Sequence, residues 1–123
     1  MLVRQGDCIT REFIRLHEFE RQCKKLGLNE DDIISIENII LDNPIIGDVI
    51  IGTGGIRKFR FAFKNRGKSS GARVVYIDFA SFSKTYLLTV FAKNETDNLS
   101  KAERNELFEL VLLLKNELRK KGV

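Results

Sequence analysis

Lys58 and Arg60 stand two apart in the stretch Arg57-Lys58-Phe59-Arg60-Phe61-Ala62-Phe63, where phenylalanines alternate with cations and an alanine. Successive side chains of a strand point to opposite faces, so the alternation predicts one aromatic face for the core and one basic face beside it. Two strand rises place Lys58 and Arg60 about 7 Å apart on that basic face, a spacing that brackets a single phosphate group. Both belong to an interval between Asp48 and Asp78 that contains seven cations (Arg57, Lys58, Arg60, Lys64, Arg66, Lys68 and Arg73) and no carboxylate. The whole chain carries only +4, so the remainder is slightly acidic and the positive field is concentrated on one part of the molecule. Such a field points to an anionic partner, with nucleic acid first. A solvated strand face and a basic hairpin tip give the same charge pattern without a partner.

Other chemistries have less support. A single histidine, His17, leaves zinc sites, Ser-His-Asp triads and paired-histidine nucleases without the residues they need, and it reads as a surface or boundary residue. Cys8 and Cys23 form neither a disulfide framework nor a CxxC pair, which suits a reducing cytoplasm. The GKS at 67–69 suggests a phosphate-binding P-loop, but the glycine required five positions before its Gly67 is Ala62. The GTGG at 52–55 reads instead as a loop or bulge whose backbone approaches another element. No carboxylate cluster favours a metal-assisted reaction, and no cofactor is expected.

The elements that must position these residues follow from periodicity. With 123 residues, 43% hydrophobic and 31% charged, and a single proline, the chain has the composition of one globular domain over 1–123. Ile9 to Ile14 is β-compatible, either an edge strand or the start of the helix that follows. Leu16, Phe19, Cys23 and Leu26 recur at helical spacing until Gly27. Asn29 caps a second helix over roughly 30–42, with Glu30, Asp31 and Asp32 in its first turn and Ile33, Ile36, Ile39 and Ile40 on its apolar face. After Asn43-Pro44, the glycine-rich IIGDVIIGTGGI leads into three predicted strands: Ile56 to Phe63, Arg73 to Phe79 and Thr85 to Lys93. NRGKSSG (65–71) and ASFSK connect them as an antiparallel meander. Ser100 and Glu103 match a capping box before a final helix over about 101–120. The fold class is therefore α+β: an antiparallel sheet of three to four strands, helices packed on one face, and the basic side left as an open platform. Arg73 begins the strand beside Lys58 and Arg60, and Lys93 ends the third strand next to it. The longest unbroken apolar run, Leu110 to Leu114, is far from the roughly 20 residues of a membrane span, and the start shows no apolar leader. A cytoplasmic protein without membrane partners is expected.

Three strings carry a more specific signal: NPIIGDVIIGTGGIRKFRFAF, GKSSGARVVYIDF and LLTVFAKNETDNLSKAE. In this order, from about Asn43 to Glu103, they resemble the HigB-type toxins of the RelE/ParE superfamily of bacterial type II toxin-antitoxin systems. The resemblance implies a RelE-like, microbial ribonuclease-type fold. It also implies an mRNA interferase that enters the ribosomal A site and cuts mRNA without a metal ion, through attack of a 2′-hydroxyl on its adjacent phosphate. The family's basic positions fall on Lys58, Arg60 and Arg73. Where RelE has a further basic residue and then a tyrosine, this chain offers Lys93, Asn94 and Ser100. The implied partners are a cognate HigA-like antitoxin with a helix-turn-helix, the ribosome and its mRNA, and operator DNA reached only through the antitoxin complex. A ParE-like, non-enzymatic gyrase inhibitor and a basic RNA-binding domain without cleavage are the alternative functions.

Internal RNA cleavage needs a group to take the 2′-hydroxyl proton, charge to hold the phosphorane oxygens, and a donor for the leaving 5′-oxygen. Lys58 is the candidate base, because neighbouring cations disfavour its charged form. Arg60 and Arg73 suit transition-state clamping, since guanidinium stays charged and binds phosphate in bidentate fashion. Lys93 is a candidate donor or phosphate anchor. Arg57, Lys64 and Lys68 are candidate contacts to the RNA backbone.

Overall fold

Gly27 and Asn29 lie two apart and separate the first two helices. Helix α1 (His17–Leu26) ends where Gly27 turns left-handed with φ 82°, a conformation glycine enters without a side-chain penalty. Helix α2 (Glu30–Asp42) starts with a reciprocal capping box: Asn29 Oδ1 accepts the Asp32 N–H at 2.8 Å, and the Asp32 carboxylate accepts the Asn29 N–H at 2.9 Å. The chain is seen here as a computed structural model that describes residues 10–65, 68–92 and 99–121.

Around these helices run β1 (Glu12–Arg15), β2 (Asp48–Val49), β3 (Arg57–Asn65), β4 (Lys68–Phe79) and β5 (Lys84–Ala92), followed by α3 (Lys101–Lys121). The strands form one sheet in the order β1-β5-β4-β3-β2, with β1 parallel to β5 and the other pairs antiparallel. The α+β class and RelE-like layout hold, but the sheet is mixed and five-stranded rather than antiparallel with three to four strands. Two whole helices and three strands intervene between β1 and β5, ample chain for the crossover a parallel pair requires. The ladder also reaches further into NRGKSSG than its turn-rich composition predicts, because β3 continues to Asn65 and pairs it with Lys68.

The helices cover both faces, which corrects the expectation of a single helical layer. On one face, Phe19 and Cys23 of α1 and Ile33, Ile36 and Ile40 of α2 meet Phe59, Phe61 and Phe63 of β3 with Val74, Tyr76, Leu87 and Val90. On the other, Val111 and Leu118 of α3 pack with Ile56, Val75, Ile77, Phe79, Tyr86 and Leu88. Arg73 to Phe79 explains the second layer: Val74 and Tyr76 point one way, Val75 and Ile77 the other, and all four are buried. A strand apolar on both sides needs cover on both sides. Each large apolar side chain so buried contributes about 1.5–3 kcal/mol before entropy is counted.

Ion pairs tie β1 into this frame. Arg15 donates Nε and Nη2 to the two carboxylate oxygens of Glu37, and Nη1 to Glu30 at 2.9 Å. Arg11 makes a forked pair with Asp78, whose Oδ1 also accepts the Thr85 hydroxyl at 2.6 Å.

Candidate functional site

A buried tyrosine sets the edge of the sheet. Tyr76 has no exposed surface, and its hydroxyl donates to the Pro44 carbonyl at 2.7 Å and accepts the Gly47 N–H at 3.2 Å. Burial raises the pKa of this phenol, which keeps it a donor at any ordinary pH. Its register partner on β3, Arg57, donates from its guanidinium to the Gly47 carbonyl at 2.6 Å. Only glycine fits this close to β3: a Cβ at Gly47 would stand 2.8 Å from the Lys58 carbonyl oxygen and 3.0 Å from Arg57 Cβ. The two-residue strand β2 that follows is thereby seated on β3, with Asp48 in register opposite Lys58.

The GTGG loop then returns the chain to β3. Thr53 is fully buried, its hydroxyl donating to the Ile50 carbonyl at 2.7 Å and accepting the Ile56 N–H at 3.2 Å. Gly54, at φ 83°, lies so close to α3 that a Cβ would sit 3.1 Å from the Phe108 ring. The loop is a close-packed turn, in keeping with its sequence reading.

On the α3 side of the sheet, Lys58 and Arg60 alternate with the buried phenylalanines of β3, and Arg60 lies directly opposite Arg73 of β4. Directly opposed residues have Cβ atoms about 4.5–5.5 Å apart, where like charges repel. A bound anion would convert that repulsion into attraction. Ile46, Asp48, Lys58, Arg60 and Arg73 line a shallow cleft of about 530 Å³. Arg60 is exposed, and Lys58 and Arg73 are half-buried. The platform is not open throughout, because α3 covers Val75 and Ile77 on the same face. Lys58 stands at the boundary and also lines a second cavity, of about 580 Å³, against Glu103, Glu106 and Leu107 of α3.

Of the residues proposed from sequence, Lys58, Arg60 and Arg73 are brought together. Arg57 is not: it shares the parity of Phe59 and holds carbonyl oxygens at the β2 edge. Lys64 is exposed opposite Ser69, six residues and roughly 20 Å of strand from Lys58. Lys93, Asn94 and Cys8, and the side chain of Lys68, lie outside the described residues. Ser100 and Glu103 do form the capping box, with bonds of 3.1 and 2.9 Å. His17 is exposed, and burial pushes the Cys23 thiol up to about 11, which makes it inert. Asp48 is the residue that sequence reasoning missed; its only signal is an acidic residue placed after glycine, just ahead of the GTGG loop. Among the described residues no group of His, Cys, Asp and Glu comes together to hold a metal ion, and no helix is long and apolar enough to cross a membrane.

The comparison with known families bears on all of these elements at once. A family model described as "RelE toxin of RelE / RelB toxin-antitoxin system" matches residues 12–120. The match runs from the first residue of β1 into the last turn of α3 and contains Asp48, Lys58, Arg60 and Arg73. The chain belongs to the RelE toxin family, the toxins of toxin-antitoxin systems.

Proposed function

We propose that this toxin is a metal-independent, ribosome-dependent mRNA endoribonuclease, acting as a single domain over 1–123 on messages in the ribosomal A site. The observation that carries the reading is the Arg60–Arg73 register pair beside Lys58, three cations on one side of the sheet within reach of one phosphate. The two guanidiniums stay charged through the reaction and hold the phosphorane oxygens, while Lys58 is close enough to exchange a proton with the reacting ribose-phosphate. On the sequence reading, Lys93 serves as a phosphate anchor and Lys64 and Lys68 as contacts to the RNA backbone.

The motif order from Asn43 to Glu103 favours a HigB-type member. A HigA-like antitoxin carrying a helix-turn-helix then neutralises it in the bacterial cytoplasm, and the complex reaches operator DNA through the antitoxin. Brief induction in a bacterial host, followed by mapping of mRNA 5′ ends, tests the reading. In-frame cuts that appear only on translated messages support it. Intact messages accompanied by damaged chromosomes would replace it with the gyrase-inhibitor alternative, and intact messages with intact chromosomes would leave only an RNA-binding module.

A further inference from the structure

Asp48 contributes the carboxylate to the cleft lined by Lys58, Arg60 and Arg73. Its strand is only two residues long, yet its position is fixed by much more than its own ladder. The Tyr76 hydroxyl and the Arg57 guanidinium both bond Gly47, the residue just before it, and Gly47 is packed too closely on β3 to carry a Cβ. The outcome is a short, stiff acidic side chain opposite Lys58 in the antiparallel register. Facing side chains there start from Cβ atoms about 4.5–5.5 Å apart, so both reach the same ribose-phosphate unit.

We propose that Asp48 is the general base of the reaction and that Lys58 is its general acid. The assignment rests on the ribonuclease reading above and reverses the sequence-based role of Lys58. A carboxylate is a natural proton acceptor and an ammonium a natural proton donor, and the register places one of each at the same ribose-phosphate unit. In the cleavage step the 2′-hydroxyl gives its proton to an Asp48 carboxylate oxygen, and the 2′-oxygen bonds to phosphorus. The bond from phosphorus to the 5′-oxygen breaks, and that oxygen takes a proton from the Lys58 ammonium. The products are a 2′,3′-cyclic phosphate and a 5′-hydroxyl. Water then carries the proton from Asp48 back to Lys58, so no net proton is consumed. Arg60 and Arg73 hold the phosphate oxygens, and their charge offsets the repulsion between Asp48 and the phosphate.

A leaving-group substitution separates the two roles. Ribosomes are programmed with an mRNA in which sulfur replaces the 5′-oxygen at the position where the unmodified message is cut; a thiolate departs without a proton. Asp48→Asn should slow cleavage of both messages by about 100-fold or more, and Lys58→Ala should slow only the oxygen message to that extent while cutting the sulfur message within about tenfold of wild type. Asp48→Glu should recover part of the loss on both. Near-wild-type cleavage by Asp48→Asn, or sulfur rescue of Asp48→Asn in place of Lys58→Ala, overturns the assignment and leaves the ribonuclease reading intact. A wild-type chain that cuts neither message removes the ribonuclease reading, and the assignment with it. Asp48 is exposed, so Asp48→Asn should fold as wild type does, and a thermal melt matching wild type, in this variant and in Lys58→Ala, confirms that loss of rate is chemical.

Discussion

Arg60 of β3 and Arg73 of β4 lie directly opposite one another in the antiparallel ladder. Opposed like charges cost stability, typically a few tenths of a kcal/mol to about 1 kcal/mol. Two guanidiniums on one side of the sheet, both lining the cleft, suit an anion received between them. In the proposed reaction the phosphate of a bound message would supply that anion, and the pair is central to that chemistry.

Arg73→Ala accordingly separates stability from function. Thermal melting should change little, because Arg73 is half-buried at the cleft and lies outside both apolar cores. Cleavage on the ribosome should fall by about 100-fold or more, the usual cost of losing one preorganised donor to the transition state. A fall in melting temperature of many degrees, with activity retained, would show that the pair is structural.

Tyr76→Phe should loosen the edge of the site while keeping the ring that packs on Phe59 and leaving every charged residue of the cleft in place. It leaves the buried Gly47 N–H without its acceptor and the Pro44 carbonyl without its donor. The expected cost is about 1–3 kcal/mol in a denaturant titration, with faster hydrogen exchange at Gly47 and Asp48 and a reduced cleavage rate.

The same variant carries a pH signature. Burial raises the pKa of Tyr76 in the folded chain above its unfolded value. Its contribution is therefore fully present below about pH 10, where the unfolded tyrosine begins to ionise, and is lost as pH rises towards the folded value. The stability gap between wild type and Tyr76→Phe should shrink from pH 8 to pH 11, about which alkaline unfolding curves decide; a gap that widens contradicts the buried phenol.

Gly47→Ala tests the close approach of β2 and β3. Its Cβ would stand 2.8 Å from the Lys58 carbonyl oxygen, a backbone atom that cannot swing aside. A destabilisation of about 1–3 kcal/mol is expected, with a displaced Asp48 and a loss of cleavage larger than the loss of folded protein. Ser100→Ala is the contrasting case: loss of the α3 cap should cost about 1 kcal/mol in denaturant while the cleavage sites stay the same.

The parts of this structure that were legible in the sequence are those with a strong local period. Phe59, Phe61 and Phe63 alternate cleanly, so both β3 and its basic face could be read directly; Asn29 with Asp32 and Ser100 with Glu103 mark the starts of α2 and α3. Val74, Val75, Tyr76 and Ile77 held the signal for a second core, because a strand without a polar side must be covered twice. β2 had no readable period at two residues, and the place of Asp48 depends on Arg57 and Tyr76, register partners on β3 and β4 that lie 9 and 28 residues further along the chain. Counting charge also grouped Arg57 with Lys58, although adjacent residues on a strand face opposite ways.

In the proposed function, the Lys58, Arg60 and Arg73 side of the sheet cleaves mRNA on the ribosome. Primer extension across a translated message, after brief induction of wild type, Lys58→Ala and Arg73→Ala at matched levels of folded protein, measures it most directly. In-frame cuts are expected with wild type and almost none with either variant. Cuts of equal strength with all three, or an intact message with wild type, would contradict it.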